Sequence, residues 1–103
     1  MLPLKGKVAL VTGASAPRGI GRAISRRLAD DGAAVVVTDI GGFMDVDGKA
    51  TSRSDLLAGL VSDIAKTGGS ALSLTLDVTN AGDIAAVFER ILSTFGRLDI
   101  LVN

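Results

Sequence analysis

Short apolar runs alternate with longer amphipathic segments along the whole chain. The runs have the length of strands and cover Lys7–Thr12, Ala34–Thr38, Ala71–Leu76 and Ile100–Val102. The segments between them repeat apolar residues at helical spacing and cover Gly19–Asp30, Asp55–Lys66 and Ala81–Phe95. A continuous apolar run is typical of a strand buried on both faces, whereas the wider spacing is typical of a helix with one buried side. The pattern therefore predicts the order β-α-β-α-β-α-β.

Polar residues and glycines mark the ends of the predicted helices. Ser54 is the predicted N-cap of the second helix, and Thr79 or Asn80 is that of the third. Gly32 follows the first helix and Gly96 the third, at the positions where glycine commonly ends a helix. The charged side of the first helix is predicted to face solvent and carries Arg22, Arg26 and Arg27.

This element order predicts an α/β fold of the Rossmann type, a doubly wound parallel sheet. Right-handed crossovers between parallel strands place helices on both faces of the sheet. A chain that winds outwards from its first strand and returns after its third has the strand order 3-2-1-4. The reversal between the first and fourth strands then opens a crevice at their carboxyl ends, and the loop of residues 12–21 lies at its mouth.

The stretch Ile40–Thr51, which reads I-G-G-F-M-D-V-D-G-K-A-T, is predicted to be a long irregular loop. Asp45, Asp47 and Gly48 resemble part of a calcium loop, but the other oxygen ligands and the closing Glu of that pattern are absent. No metal site is therefore predicted. The loop is expected either to fold over the adenosine end of a ligand or to be mobile.

The composition excludes several classes of function. Hydrophobic residues make up 48% of the 103 residues, the formal net charge is zero and the pI is about 6.1, so neither nucleic acid nor a membrane surface is a predicted partner. The sequence has no Cys and no His, which removes disulfides, thiolate metal sites and the commonest general base. The N-terminal apolar run is too short for a signal peptide or a membrane span, and the protein is predicted to be cytoplasmic.

The segment Val8–Arg22 reads V-A-L-V-T-G-A-S-A-P-R-G-I-G-R, a strand, a glycine turn and the start of a helix. Gly13 is predicted to permit the tight turn where a Cβ would clash, while Gly19 and Gly21 let the backbone approach a pyrophosphate at the helix N-terminus. Three glycines also occur in ordinary loops, and the spacing G-x5-G-x-G differs from both the usual dinucleotide motif and the Walker loop. Its position at the predicted crevice favours dinucleotide binding.

Polar residues follow the ends of the other predicted strands. Asp39 ends the second strand, where a carboxylate accepts hydrogen bonds from ribose hydroxyls and repels a 2′-phosphate, and this favours NAD. Arg18 favours NADP because its guanidinium could reach a phosphate, but Asp39 carries more weight because burying a carboxylate beside a phosphate dianion is costly. Asp77 and Val78 are candidates to contact adenine, and Asn103 to hydrogen-bond across the crevice. The alternatives are a helix cap or an ordinary loop acid for Asp39, an acid at the start of the turn into the next helix for Asp77, and a turn residue for Asn103.

Together these motifs resemble the short-chain dehydrogenase/reductase family. The resemblance rests on T-G-A-S-(A-P-R)-G-I-G-R-A, on Asp39, on L-D-V-T from Leu76 and on G-R-L-D-I-L-V-N at the end, and it covers the whole chain. It implies an NAD(P)-dependent oxidoreductase that transfers hydride between nicotinamide and a small-molecule hydroxyl or carbonyl substrate. The cofactor-binding residues predicted from the pattern and the resemblance are Thr12, Gly13, Ser15, Arg18, Gly19, Ile20, Gly21, Asp39, Ile40, Asp77, Val78 and Asn103. NAD is the predicted cofactor, and NADP is the less favoured one.

The resemblance places the family's catalytic Ser and Tyr-x-x-x-Lys beyond Asn103, and this sequence has no Tyr, so no catalytic residue is predicted. Residues 1–103 are therefore expected to be the N-terminal cofactor-binding part of a longer chain, inactive and prone to aggregate alone, and a homo-oligomer when complete. One alternative is a non-catalytic dinucleotide-binding sensor. Another is a methyltransferase, which is disfavoured because Val11 and Thr12, not an acid, precede Gly13.

Overall fold

The computed structural model describes residues 2–103, which form one parallel sheet, three helices and a hairpin. The elements in chain order are β1 (Val8–Val11), α1 (Ile20–Asp30), β2 (Ala34–Asp39), β3 (Phe43–Val46), β4 (Lys49–Ser52), α2 (Arg53–Lys66), β5 (Ser70–Thr75), α3 (Ala81–Phe95) and β6 (Ile100–Val102). Strands β5, β2, β1 and β6 lie side by side in that order, all parallel. With the hairpin strands left out of the numbering this is the order 3-2-1-4, so the predicted fold is confirmed.

Each face of the sheet has its own hydrophobic core because neighbouring strand residues point to opposite sides. Val11, Val35 and Val37 point to the face covered by α1 and α2, where Leu57, Leu60 and Ile64 of α2 pack against them. Val8, Leu10 and Val36 point to the other face, where Val87 and Ile91 of α3 cover them. All four residues of β1 are buried, as expected for a central strand with helices on both sides.

The helix ends agree with the predictions except at the start of α2. Helix α2 begins at Arg53 because Ser52, rather than the predicted Ser54, caps it and accepts a hydrogen bond from the Asp55 N–H at 3.4 Å. In α3 the Asn80 side chain accepts from the Asp83 N–H at 3.0 Å. The other end of α3 closes at Gly96, whose φ is 79°.

The prediction of a loop over residues 40–51 is wrong, because most of this stretch is an antiparallel β-hairpin. Strands β3 and β4 pair from Phe43 opposite Ser52 to Val46 opposite Lys49, and Asp47 and Gly48 form the turn. Both turn residues have positive φ, 52° and 83°, as a type I′ hairpin turn requires. Asp45 Oδ1 accepts from the Gly48 N–H at 2.7 Å, so its carboxylate supports the turn.

Helices α1 and α2 are joined by an ion pair that the sequence pattern does not predict. Arg22 contacts the Asp63 carboxylate at 2.7 Å, and the Arg22 side chain is only 18% exposed. The expectation that Arg22 belongs to a solvated face is therefore wrong. The two helices cover the same face of the sheet, and this places the arginine against its neighbour instead of in solvent.

Asp99 hydrogen-bonds the start of β6 to the start of β1, at the end of the sheet opposite the carboxyl ends of the strands. Its carboxylate accepts a hydrogen bond from the Val8 N–H at 2.9 Å, and its own N–H donates to the Val8 carbonyl at 2.9 Å. Arg97 donates two further hydrogen bonds to the same carboxylate, at 2.8 and 2.7 Å. These donors, with Arg97 first, lower the pKa of Asp99 to about 2.

In the part of the chain that the structure describes, no helix combines the length and the apolar character that crossing a membrane requires. Residues 2–103 also bring together no group of three or more acidic, His or Cys side chains in a geometry that could hold a metal ion.

Candidate functional site

The loop after β1 crosses the carboxyl edge of the sheet and is tied to the strands on both sides. The Thr12 N–H donates to the Val102 carbonyl of β6, and the Ala14 N–H donates to the Thr38 carbonyl of β2, both at 2.9 Å. Gly13 lies between these bonds with φ +66°, and open space surrounds the position of an added Cβ. The predicted reason for this glycine, a Cβ clash, is therefore wrong. The turn requires glycine because of its positive φ.

Helix α1 begins at this loop without a side-chain cap. Gly19 is its N-cap residue, and its first turn contains no acidic residue. Helices α2 and α3 differ, since each has a side-chain cap and an aspartate in its first turn. The first N–H groups of any helix have no acceptor within the helix, and they carry the positive end of its dipole. At α1 these groups suit an anionic group of a ligand, such as a pyrophosphate.

Gly21 allows α1 to lie directly against the glycine loop. A Cβ on Gly21 would meet the Gly13 carbonyl oxygen at 2.8 Å and the Ala14 Cα at 3.2 Å. Protein backbone occupies the space that a Cβ would need, while the prediction that the Gly21 backbone approaches a pyrophosphate stays a prediction. The glycine is needed for close packing of helix and loop.

Asp39 at the end of β2 is held by the glycine loop. One of its oxygens, Oδ2, accepts from the Ser15 N–H at 3.1 Å and from the Ser15 hydroxyl at 2.5 Å. The other oxygen, Oδ1, accepts from the Ile40 N–H at 2.8 Å. Ser15 is almost completely buried, whereas Asp39 is only partly buried. Each carboxylate oxygen can accept more than one hydrogen bond, so Asp39 keeps capacity for a ligand hydroxyl.

The β3–β4 hairpin faces the glycine loop across a cleft of about 290 Å³. Ala16, Pro17, Arg18 and Gly19 line one side, and Met44–Asp47 line the other. Arg18 and Asp47 bridge the cleft with a 2.7 Å ion pair. Met44 lies behind it, with its sulfur 3.8 Å from the Ser15 hydroxyl. Met44 and Asp47 are absent from the predicted site, although the Asp47-Gly48 dipeptide is a recognised signal of a hairpin turn.

A second cleft, of about 160 Å³, lies on the α3 side of the same edge. Thr12, Val78 and Asn103 line it together with Leu76 and with apolar residues of β1, β6 and α3. The Thr12 hydroxyl donates to Asn103 Oδ1 at 3.0 Å, which joins the ends of β1 and β6. Val78 is half exposed at this rim, and Ile20 and Ile40, which follow β1 and β2, are also exposed apolar residues.

The Asp77 carboxylate forms a local turn after β5. It accepts hydrogen bonds from the Thr79 hydroxyl at 2.6 Å and from the Thr79 N–H at 2.9 Å. These two bonds lower the pKa of Asp77, the side-chain bond more than the backbone bond. Its own N–H donates to Asp83 at 3.2 Å, so this acid also helps to position the start of α3.

The fold brings all of the predicted cofactor-binding residues to one edge of the sheet. The glycine-loop residues and α1 follow β1, Asp39 and Ile40 lie at the end of β2, Asp77 and Val78 follow β5, and Asn103 follows β6. The strands are parallel, so their carboxyl ends meet at this edge, where open α/β sheets bind ligands. The assignment of these residues to a cofactor stays a prediction.

Comparisons of the chain with known proteins identify one protein family. A family model described as short chain dehydrogenase matches residues 7–103. The chain is 45% identical over 104 aligned residues to a cyclohexanol dehydrogenase of Rhodococcus sp. (strain TK6), and the match covers 98% of this chain and 37% of that protein.

Solved structures agree with this family. A hydroxysteroid dehydrogenase from Escherichia coli has a TM-score of 0.81 and 36% identity, with 99% of this chain and 37% of that one covered. A metagenomic short-chain oxidoreductase in complex with NADP has a TM-score of 0.77 and 39% identity, with coverages of 96% and 38%. The chain thus spans little more than a third of the length of these proteins.

Proposed function

The chain belongs to the short-chain dehydrogenase family, and on that premise we propose that it forms the dinucleotide-binding part of an NAD(P)-dependent oxidoreductase. The observation that carries the proposal is the uncapped N-terminus of α1, which begins at the glycine loop on the carboxyl edge of the sheet. Positive partial charge and free N–H groups there suit the pyrophosphate of a dinucleotide. Family membership favours this function over the non-catalytic sensor and the methyltransferase.

In this proposal the parts of the dinucleotide lie along the carboxyl edge. Residues 13–21 hold the pyrophosphate. The Asp39 carboxylate accepts hydrogen bonds from the adenosine ribose hydroxyls, because its hydrogen bonds from Ser15 and the Ile40 N–H leave further lone pairs free. Ile40 and Val78 offer exposed apolar surface to the adenine ring. When bound, the nicotinamide supplies the hydride acceptor or donor. NAD is the proposed cofactor, because a carboxylate at the ribose disfavours a 2′-phosphate.

The substrate and the wider setting are also proposals. A relative named for its action on cyclohexanol supports a small molecule with a hydroxyl or carbonyl group as the substrate. The assignment of residues 1–103 as the cofactor-binding domain, the homo-oligomeric state, the absence of nucleic-acid and membrane partners and the cytoplasmic location stay predictions.

A pair of variants at the N-cap of α1 tests the pyrophosphate position. Gly19→Asp places a carboxylate at the helix N-terminus, whereas Gly19→Asn places a neutral side chain of nearly the same shape there. Asp and Asn are comparable N-caps, and both meet the same nearby Ala16 Cβ, so the two variants should have similar stability. Both side chains can accept from the same N–H groups, but only the aspartate adds a negative charge that repels a pyrophosphate, and we expect it to weaken NAD⁺ binding about tenfold or more relative to Gly19→Asn.

The measurement is calorimetric titration of the full-length protein with NAD⁺, accompanied by thermal melts of both variants. Equal NAD⁺ affinities of the two variants would show that the pyrophosphate does not lie at α1. The oxidoreductase part is tested separately by NAD⁺ reduction across simple alcohols that include cyclohexanol. A full-length protein that binds NAD⁺ but oxidises none of these alcohols, and reduces none of the matching ketones and aldehydes with NADH, contradicts that part.

A further inference from the structure

The charged groups that face the hairpin cleft are mainly acidic. Arg18 is the cation on the loop side, and Asp45 and Asp47 are on the hairpin side. Asp39 lies next to the cleft, because Ser15 contacts both Asp39 and Met44. Asp45 Oδ1 accepts from the Gly48 N–H at 2.7 Å, so Asp47 is the acid whose carboxylate pairs with Arg18 across the cleft. Asp47 and Asp39 would both repel a phosphate dianion that approached Arg18.

Arg18 is the group in this cleft that would attract such a phosphate, and it is already paired. Its guanidinium donates to Asp47 Oδ1 at 2.7 Å. Binding a phosphate through Arg18 would require the guanidinium to leave this carboxylate or to share it with the incoming anion. The side chains of both partners are mostly exposed, at 81% and 71%, so the ion pair favours the guanidinium position next to Asp47 without immobilising the arginine.

We propose that Asp47 is a specificity residue that withholds Arg18 from a 2′-phosphate, so that the β3–β4 hairpin favours NAD over NADP. The proposal deepens the proposed function and rests on it, since it assumes that the adenosine ribose lies at Asp39. Asp47 acts through Arg18 and is a positioning residue. Asp47 should therefore change the ratio of the NAD⁺ and NADP⁺ affinities rather than the affinity for both dinucleotides together.

Asp47 can be changed with little risk to the hairpin. It occupies a turn position with φ 52°, and asparagine adopts that conformation at least as readily as aspartate. The hydrogen bond that supports the turn comes from Asp45, which stays in place. Asp47→Asn therefore removes one charge while the backbone is retained. Asp30→Asn is the matched control, because Asp30 is an exposed acid at the other end of α1.

The experiment measures the affinities of the full-length protein for NAD⁺ and NADP⁺ by calorimetry, in wild type, Asp47→Asn, Arg18→Gln, the double variant and Asp30→Asn. The adenosine-end probes 5′-AMP and 2′,5′-ADP repeat the comparison without the nicotinamide. We expect wild type to prefer NAD⁺, and Asp47→Asn to shift the affinity ratio toward NADP⁺ by about two- to fivefold, the size of an exposed charge interaction. The same substitution should change the ratio less than about twofold in the Arg18→Gln background, and Asp30→Asn should not change it.

Each other outcome overturns a stated part. An unchanged ratio in Asp47→Asn refutes the inference while the proposed function stands. A wild-type preference for NADP⁺ refutes the inference and the proposed choice of NAD, while the proposed NAD(P)-dependent function stands. An equal shift with and without Arg18 shows that Asp47 acts as a bulk charge and not through the arginine, which also refutes it. A wild type that binds neither dinucleotide refutes the proposed function, and the inference with it.

Discussion

The contact between α1 and the glycine loop predicts opposite effects for the same substitution at two helical glycines. Glycine to alanine inside a helix normally stabilises a protein by about 0.5–1 kcal/mol, because alanine loses less backbone entropy on folding. Gly59 in α2 should show this gain, since nothing lies within 4 Å of its added Cβ. Gly21 in α1 should not, because its Cβ would meet the Gly13 carbonyl oxygen at 2.8 Å.

The size of the difference follows from this contact. Ordinary van der Waals contacts lie between 3.4 and 4 Å, so helix and loop would have to separate by about 0.6 Å. The obstructing atoms belong to the backbone of Gly13 and Ala14 and not to the end of a flexible side chain. Overpacking of this kind costs about 1–3 kcal/mol. Gly21 is in the first turn of α1, so its propensity gain is no larger than that of Gly59 inside α2, and we expect Gly21→Ala to be about 1–3 kcal/mol less stable than Gly59→Ala.

Urea unfolding of the full-length variants, followed by circular dichroism, measures this difference, and unchanged m-values would show that the two denatured states are comparable. Gly21→Ala should unfold at lower urea than wild type or close to it, and Gly59→Ala at higher urea. If both substitutions stabilise the protein equally, α1 does not approach the glycine loop closely, and Gly21 is not required for their packing.

Three further predictions concern contacts outside the cofactor edge. The fold lowers the pKa of Asp99 from its ordinary 3.8 to about 2, so the ionised carboxylate stabilises the fold above about pH 4 and this contribution is lost as the pH falls toward 2. Asp99→Asn should therefore flatten this part of the pH profile of the urea midpoint, and an unchanged profile would contradict a stabilising role for Asp99. Asp63→Asn should lower the free energy of unfolding by about 1 kcal/mol by breaking the pair with Arg22, and Arg22→Met together with Asp63→Asn should cost less than the sum of the single changes; additivity would contradict a direct pair. Asn80→Ala should cost about 1 kcal/mol in the same urea assay by uncapping α3, and a neutral result would show that the cap contributes nothing.

The sequence by itself determined the sheet and its helices. Continuous apolar runs identify the buried strands β1 and β2, short apolar segments identify β5 and β6, and the crossover rules leave few topologies for alternating strands and helices. The strand order and the placement of the glycine loop at the carboxyl edge follow from local pattern plus these rules. Asn80 and Gly96 also act within a few residues of their own positions, which is why the start and end of α3 are predictable.

The tertiary structure decided how the residues of that edge are used. The hairpin strands are short and contain no buried residue, so their hydrophobic pattern is weak, and the same aspartates and glycines also suit a loop. Ser15 beneath Asp39, Arg18 against Asp47 and Gly21 against Gly13 all depend on where separate segments meet in space. Periodicity fixes which face of an element is buried, but the partner of a side chain is set by the packing of elements against one another. For that reason the sequence predicts which residues lie at the carboxyl edge of the sheet, and the fold determines which of those residues contact one another.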